Sequence, residues 1–461
     1  MCERNDDTNT ATADSFRVPS SQKGLMAADC LCVADGYNGV MQRLFSRAIA
    51  QSTYLNRRVW MTGAVSLSAS LALGEHVLAA QTPAFARWVA GFRPRALARD
   101  ISEQTYDRVM NELTPDTSVF AELNAQPEFT ELMWQYINRR CSDWRVITGK
   151  ARAREYADLL ARIERDYGVD RYIVLGLWGM ESSFGDVIAN RKYMRPIIPA
   201  LAALAWGAPR RRPYWEAELL NALTIVDRGW AQPSDMIGSW AGAMGHTQWM
   251  PEVWLHMGVD YDHDGRASPF GKPDDSFAGT ARFLVERGNY RRGEAWGCEV
   301  TLDANHARLA NNRTMRTYAK WAELGVRRAD GVAFPRPSDT VKLWLPVAGG
   351  PAFLIGQNFR AVHSYNPSTS YTLALCHLGD LIRGDPPFHR QFPGGERTPT
   401  LDEVKEIQRR LNEQGFKTDG IDGRTGSDTI RAILAFQKKV GMDPADGYAG
   451  LKLLARLRQG S

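Results

Sequence analysis

The stretch Tyr172 to Met180 reads Tyr-Ile-Val-Leu-Gly-Leu-Trp-Gly-Met, apolar at nearly every position. A helix through it would be hydrophobic all round, and such a helix has to be buried. The chain must therefore supply core on every side of this segment. One carboxylate, Glu181, follows directly, and Gly185 reads as the residue just past the helix end. Glu181 then falls in or near the last turn, where an apolar shell and the negative end of the helix dipole both disfavour its ionised form. Both effects predict an upward shift of its pKa. A carboxylic acid kept protonated near neutral pH suits a general acid that must protonate a glycosidic oxygen. The stretch alone serves equally for a core-edge glutamate satisfied by backbone amides or an arginine.

The 461 residues, 44% of them hydrophobic, can bury a substantial core and suggest two or three domains. A formal net charge of +5 is too small to imply nucleic acid and is compatible with an anionic polymer as partner. Tryptophan and tyrosine offer flat apolar faces with a polar edge, which suits sugar rings. The 14 tryptophans are therefore informative, although most belong in a core. Cys2, Cys30, Cys32, Cys141, Cys298 and Cys376 show no metal-ligand spacing. If the N-terminal segment is removed, three scattered cysteines remain and at most one pair can bridge.

That removal is expected. Asn56-Arg57-Arg58, the apolar run Val59 to Leu73 and small residues at Ala79, Ala80, Ala84 and Ala86 describe a secretory signal peptide whose apolar run is too short to span a membrane. The adjacent arginines invite a twin-arginine reading, which Val59-Trp60-Met61 continues only loosely. The alternative is a buried helix preceded by a disordered tail. A signal set so far from the first residue is abnormal, so Met41 is the expected start and Met1 to Val40 a translation-start artefact.

Helical periodicity runs through Phe85 to Met110, Phe129 to Ile147 and Ala151 to Tyr167, so this part is all-α. Arg210-Arg211-Arg212-Pro213-Tyr214-Trp215 opens a further helix; it is either a grip for carboxylates of an acidic substrate or a solvated basic helix start. Gly238-Ser239-Trp240-Ala241-Gly242-Ala243-Met244-Gly245-His246-Thr247-Gln248-Trp249 has the small residues that let backbone approach a ligand, with Ser239, Gln248 and Trp249 as polar and stacking groups. It also reads as a tightly packed turn with its tryptophans in the core. Asp260, Asp262 and Asp264 with Gly265 repeat the opening half of a calcium loop; position 12 is Gly271, so the last carboxylate would come from Asp274 or Asp275. A solvated acidic turn is the alternative. Val341 to Leu345 and Phe353-Leu354-Ile355 are candidate strands. Tyr365, Asn366 and Tyr371 precede or open a helix and, taken alone, read as capping and packing. After Pro386-Pro387 and Pro393-Gly394-Gly395, three helices over Leu401–Gln414, Ser427–Val440 and Gly450–Arg456 form a unit of roughly sixty residues, near the lower limit for independent folding.

In order and spacing, the Glu181 stretch, the Ser239 stretch, the Asp260 loop and Tyr365-Asn366 with Tyr371 resemble the membrane-bound lytic transglycosylase B family, from about Phe85 to Arg383. Asp422-Gly423-Arg424-Thr425-Gly426 resembles the signature of the peptidoglycan-binding type 1 domain. The resemblance implies a mainly α, lysozyme-like catalytic domain with a few short strands, plus a small three-helix C-terminal domain. The expected division is 1–84 extension and signal peptide, 85–390 catalytic, 391–399 linker and 400–461 peptidoglycan-binding.

The resemblance further implies cleavage of the β-1,4 bond between N-acetylmuramic acid and N-acetylglucosamine in peptidoglycan. Glu181 would protonate the leaving oxygen, then as carboxylate take the proton of the muramoyl 6-hydroxyl, which closes a 1,6-anhydro ring. A hydrolase of the usual type needs a second carboxylate about 5 to 9 Å away, and no comparable motif supplies one. By the same likeness Ser239, Gln248, Tyr365, Asn366 and Tyr371 would line the sugar cleft. Arg210, Arg211 and Tyr214 would meet the peptide stem or lactyl carboxylate, and Asp260, Asp262, Asp264 and Asp275 would hold a structural Ca2+. The family's metal loop is usually shorter before its last aspartate. No cofactor is expected for the chemistry. The expected protein is a periplasmic monomer acting on glycan strands beside other cell-wall enzymes, without a lipid anchor, stable membrane insertion or nucleic-acid partner. A muramidase and a non-catalytic wall-binding scaffold are the competing readings.

Overall fold

The computed structural model describes residues 82–124, 131–302, 307–310 and 313–460. The arginine pair and apolar run of the expected signal peptide, Met41, Cys2, Cys30 and Cys32 lie outside the described residues, whereas Ala84 and Ala86 of its expected cleavage zone fall within the first helix. Helices α1 (Pro83–Leu97), α2 (Glu103–Met110), α3 (Val119–Asn124), α4 (Met133–Arg140), α5 (Asp143–Glu155), α6 (Ala157–Tyr167) and α7 (Arg171–Ser182) come first. Then follow α8 (Ile197–Gly207), α9 (Arg212–Asp227), α10 (Pro251–Met257) and α11 (Asp274–Glu286), with a two-stranded ribbon of β1 (Arg195–Pro196) and β2 (Ile237–Gly238). Phe85 to Met110 is two helices rather than one: Asp100 takes φ 59° and Ser102 caps α2, its hydroxyl accepting from Thr105 N at 3.1 Å.

The apolar run folds as expected into α7, which is buried from Ile173 through Gly179. Each fully buried aliphatic side chain there contributes about 1.5–3 kcal/mol. Around α7 one core gathers α4 to α7, α11, α13 (Gln357–Tyr365) and α14 (Thr369–Arg383). A second core joins α1, α2, α8, α9 and the Gly-rich stretch through Met244 and Trp249.

A five-stranded antiparallel sheet of order β4 (Met315–Thr317), β6 (Thr340–Trp344), β7 (Ala352–Ile355), β3 (Gly297–Thr301) and β5 (Arg327–Arg328) forms a side unit with α12 (Tyr318–Glu323). Both candidate strands are present, with Leu343 opposite Leu354 at its centre. The C-terminal unit packs α15 (Leu401–Glu413), α16 (Ser427–Lys439) and α17 (Leu451–Arg458) around Ile407, Leu411, Ile433, Phe436 and Leu454. Thr400 and Glu403 form a capping box at the start of α15. Among the described residues Cys141, Cys298 and Cys376 are all free thiols, and no helix is long and apolar enough to cross a membrane.

Candidate active site

Two glycines set where the end of α7 lies. A Cβ on Gly176 would stand 2.7 Å from the Leu375 carbonyl oxygen, and one on Gly379 would stand 2.7 Å from that of Tyr172. Their missing side chains let the backbones of α7 and α14 approach closely, which fixes the first turn of α14 against the last turn of α7. Ser368 caps α14 by accepting from Tyr371 N. Tyr371, three residues on, then donates its hydroxyl to Glu181 Oε1. Burial, and next the charge of Glu181, push the Tyr371 hydroxyl well above the usual tyrosine range, so it stays a donor. Burial and the same charge also raise Tyr365, whose hydroxyl donates to the Thr247 carbonyl at 2.5 Å.

Glu181 is half-buried, while Ser182 beside it is fully buried. The helix ends on Ser183, which is left-handed at φ 53°; Phe184 at 61° and Gly185 at 89° continue the turn. The end expected at Gly185 therefore comes two residues earlier. Non-glycine residues are disfavoured in this region, and the surroundings hold them. Arg145 reaches up from α5, donating Nε to the Gly179 carbonyl and Nη2 to Ser183 Oγ, each at 3.3 Å. Burial pulls this guanidinium down to about 10, so it remains charged at neutral pH and suits the carbonyl end of a helix dipole.

Ser182 also ties α7 to the Gly-rich stretch. Its hydroxyl donates to the His246 carbonyl at 2.6 Å and accepts from Gly185 N at 3.0 Å. Trp178 Nε1 donates to His246 Nδ1 at 3.1 Å, so the ring proton sits on Nε2, which donates to the Gly271 carbonyl at 2.8 Å. Burial lowers the His246 pKa, in keeping with this neutral, doubly bonded ring. Thr280 of α11 completes the seating: its hydroxyl donates to Thr247 Oγ1 at 2.9 Å and accepts from Trp249 Nε1 at 3.2 Å. The stretch is thus a packed turn with Trp249 in the core and Trp240 half-buried, tied to the end of α7 through His246.

Within it, Ser239 Oγ accepts from Ala243 N at 3.1 Å, and Gln248, left-handed at φ 54°, donates Nε2 to the Gly245 carbonyl at 2.9 Å. Both side chains are half-buried, as is Asn366 at the C-terminal end of α13. Tyr371 is therefore paired with Glu181, Tyr365 with Thr247 and Ser182 with His246, so the His246–Thr247 part of the stretch is held to the end of α7, while Ser239 and Gln248 bond within the stretch itself. Arg210 and Arg211 directly precede α9, and Tyr214 lies in its first turn, packed against the second core. Arg211 lies over the rings of Tyr214 and Trp215, at 4.5 and 4.8 Å.

Asp260, Asp262 and Asp264 each offer a carboxylate oxygen within 4.8 Å of the others. Asp264 N and Gly265 N donate back to the Asp260 carboxylate at 3.1 and 3.0 Å, which curls the loop. Asp275 acts differently from the first three: Oδ1 accepts from Tyr261 N at 2.7 Å and Oδ2 from Ser268 N at 2.9 Å, stapling the two ends of the loop together. Arg145, Ser182 and His246 escaped the sequence reading as site residues. Ser182 and His246 had a signal in their places within the Glu181 stretch and the Gly-rich stretch; Arg145 had none.

Residues 84–380 match the transglycosylase SLT domain family, and residues 400–457 match a peptidoglycan binding domain. The chain belongs to the transglycosylase SLT domain family. It is a lytic transglycosylase of peptidoglycan, and its mainly α, lysozyme-like catalytic fold is the family's. SltB3 from Pseudomonas aeruginosa, solved in complex with NAG-anhNAM-pentapeptide, is 37% identical with a TM-score of 0.63, over 82% of this chain and 100% of that one. Membrane-bound lytic murein transglycosylase B of Escherichia coli K12 is 28% identical over 282 residues, 60% of this chain and 73% of that protein. The Escherichia coli transglycosylase Slt35, solved in complex with calcium, shares the fold at 23% identity and a TM-score of 0.53, over 65% of this chain and 93% of that one.

Proposed function

We propose that Glu181 performs both proton transfers of the reaction. It protonates the oxygen leaving C1 of the muramoyl residue, then as carboxylate takes the proton of that sugar's 6-hydroxyl as its oxygen closes on C1. The glycosidic bond breaks, the 1,6-anhydro bond forms, and Glu181 ends protonated as it began. The observation that carries this reading is the hydrogen bond from Tyr371 to Glu181, a half-buried carboxyl in the last turn of an otherwise buried helix. A buried phenol that stays protonated can steady the carboxylate in the second half of the reaction and orient the acid in the first. An intramolecular hydroxyl nucleophile gains effective molarity and needs no activated water. Ser239, Gln248, Tyr365 and Asn366 line the glycan cleft, and Arg210, Arg211 and Tyr214 form an outer contact for substrate carboxylates.

Asp260, Asp262 and Asp264 hold calcium in this proposal, with Asp275 organising their loop; the ion would brace the fold and take no part in the chemistry. The protein works in the periplasm after export by its N-terminal signal. Residues 400–461 hold the enzyme to the wall, joined to the catalytic part by 391–399. The test is Glu181→Gln, which is expected to abolish turnover while sacculus binding is retained. Retained turnover would place the acid on another residue.

A further inference from the structure

The geometry points to the C-terminal domain as a positioning arm of the catalytic site: an ion pair from Arg424 to Asp186 steadies the turn on which Glu181 ends. The inference rests on the reading of Glu181 as the reacting acid.

Residues 183–194, which leave α7, form turns without helix or strand. They begin with two non-glycine residues in the left-handed region, a conformation that persists only where surrounding contacts enforce it. Part of that enforcement comes from the C-terminal domain. Arg424 Nη1 lies 3.3 Å from Asp186 Oδ2, Lys192 pairs with Asp428, and the hydroxyls of Tyr193 and Ser427 stand 3.5 Å apart. The Arg424 guanidinium also lies over the Trp144 ring at 4.3 Å. Trp144 adjoins Arg145, the residue that holds Gly179 and Ser183. One arginine therefore touches both pieces of chain that carry the end of the Glu181 helix.

Arg424 is itself held in place. Gln408 donates to Asp422 Oδ1 and to the Arg424 carbonyl, both at 3.0 Å, and accepts from Gly423 N at 2.8 Å. The domain is docked at its other end as well: Asn138 Nδ2 donates to the Glu396 carbonyl at 2.8 Å and to Tyr448 Oη at 3.0 Å, and Leu401 N donates to Asp143 Oδ2 at 2.8 Å. A domain tethered only to hold the wall would need none of these contacts at the exit of the catalytic helix.

The test measures kcat and KM for the full chain on a soluble glycan fragment too short to depend on wall anchoring, comparing wild type, Asp186→Arg, Arg424→Asp and the double variant. Each single change is expected to lower kcat about fivefold with KM within about twofold, the size of a partly exposed ion pair. The double variant restores the opposite charges and is expected to recover to within about twofold of wild type. Sodium chloride at about 0.5 M brings the wild-type kcat down toward that of Asp186→Asn and leaves Asp186→Asn unchanged. Asp186→Arg keeps wild-type binding to sacculi, because the surface of the C-terminal domain is untouched. Unchanged kcat in both single variants overturns the inference, as does a loss that is not rescued in a double variant melting like wild type. Should the double variant fail to fold, a wild-type kcat no more salt-sensitive than that of Asp186→Asn overturns it. A wild type without turnover, or an active Glu181→Gln, defeats the reading of Glu181 instead.

Discussion

Replacing Tyr371 with phenylalanine removes one atom, the hydroxyl oxygen that donates to Glu181 Oε1. The ring is 5% exposed and lies on a helix fixed by the Ser368 cap and by the close approach of Gly379 to α7, so the packing survives the change. A hydrogen bond to a charged group contributes about 1.5–3 kcal/mol. If the bond is strongest when Glu181 is ionised, its loss lowers kcat by about 10- to 150-fold. The direction of the pH effect follows from the same bond. It favours the carboxylate, so without it the acid stays protonated to higher pH and the alkaline limb of the pH–rate profile moves up. The phenol does not confuse the measurement, because burial and the charge of Glu181 keep its proton in place across the assay range. The assay is kcat against pH on a soluble glycan fragment, with 1,6-anhydro products counted by mass spectrometry. A kcat within about threefold of wild type together with an unmoved alkaline limb would refute the role given to Tyr371.

Gly176→Ala places a methyl group 2.7 Å from the Leu375 carbonyl oxygen, which is backbone and cannot swing away. The expected cost is about 1–3 kcal/mol, read as a lower melting temperature, together with reduced turnover as α14 shifts from α7. Glu218 tests the pH dependence of stability. Burial pushes its carboxyl up to about 7 from an ordinary 4.5, so the folded chain keeps a proton that the unfolded chain releases. Its contribution is therefore full below about 4.5 and is lost as pH rises toward about 7, and Glu218→Gln should flatten the fall in melting temperature over that range. Calcium at a hundredfold excess over its Kd should stabilise the chain by about 2.7 kcal/mol. Differential scanning calorimetry should show that gain vanish in Asp260→Asn with Asp262→Asn; an equal gain in this variant would remove the loop as the binding site.

What the sequence disclosed was what local patterns can encode. The all-apolar run required a buried helix, and α7 is one. The three C-terminal helices were read from the sequence, and the Thr400–Glu403 capping box that starts the first of them came to light only in the structure. Strands β6 and β7 carried apolar runs long enough to read, whereas β5 is two residues and has no period to detect. The break between α1 and α2 was signalled by Ser102 but hidden beneath continuous helical periodicity. The contacts that make the site were beyond local reading. Tyr371 meets Glu181 across 190 residues, and Ser182 meets His246 across 64. Arg145 lies among ordinary helical residues, and only the packing of α5 beneath α7 gives it a purpose. Pro and Gly around 391–399 announce a change of direction; the docking of Glu396 on Asn138 depends on side chains far away in sequence.

The central claim is that one carboxylate drives an internal ring closure with no water as nucleophile. Purified protein incubated with sacculi, followed by mass spectrometry of the soluble muropeptides, tests it most directly. The account predicts that every new muramoyl end carries the 1,6-anhydro mass in the wild type and that Glu181→Gln releases nothing. Reducing muramoyl ends, heavier by one water, would contradict it.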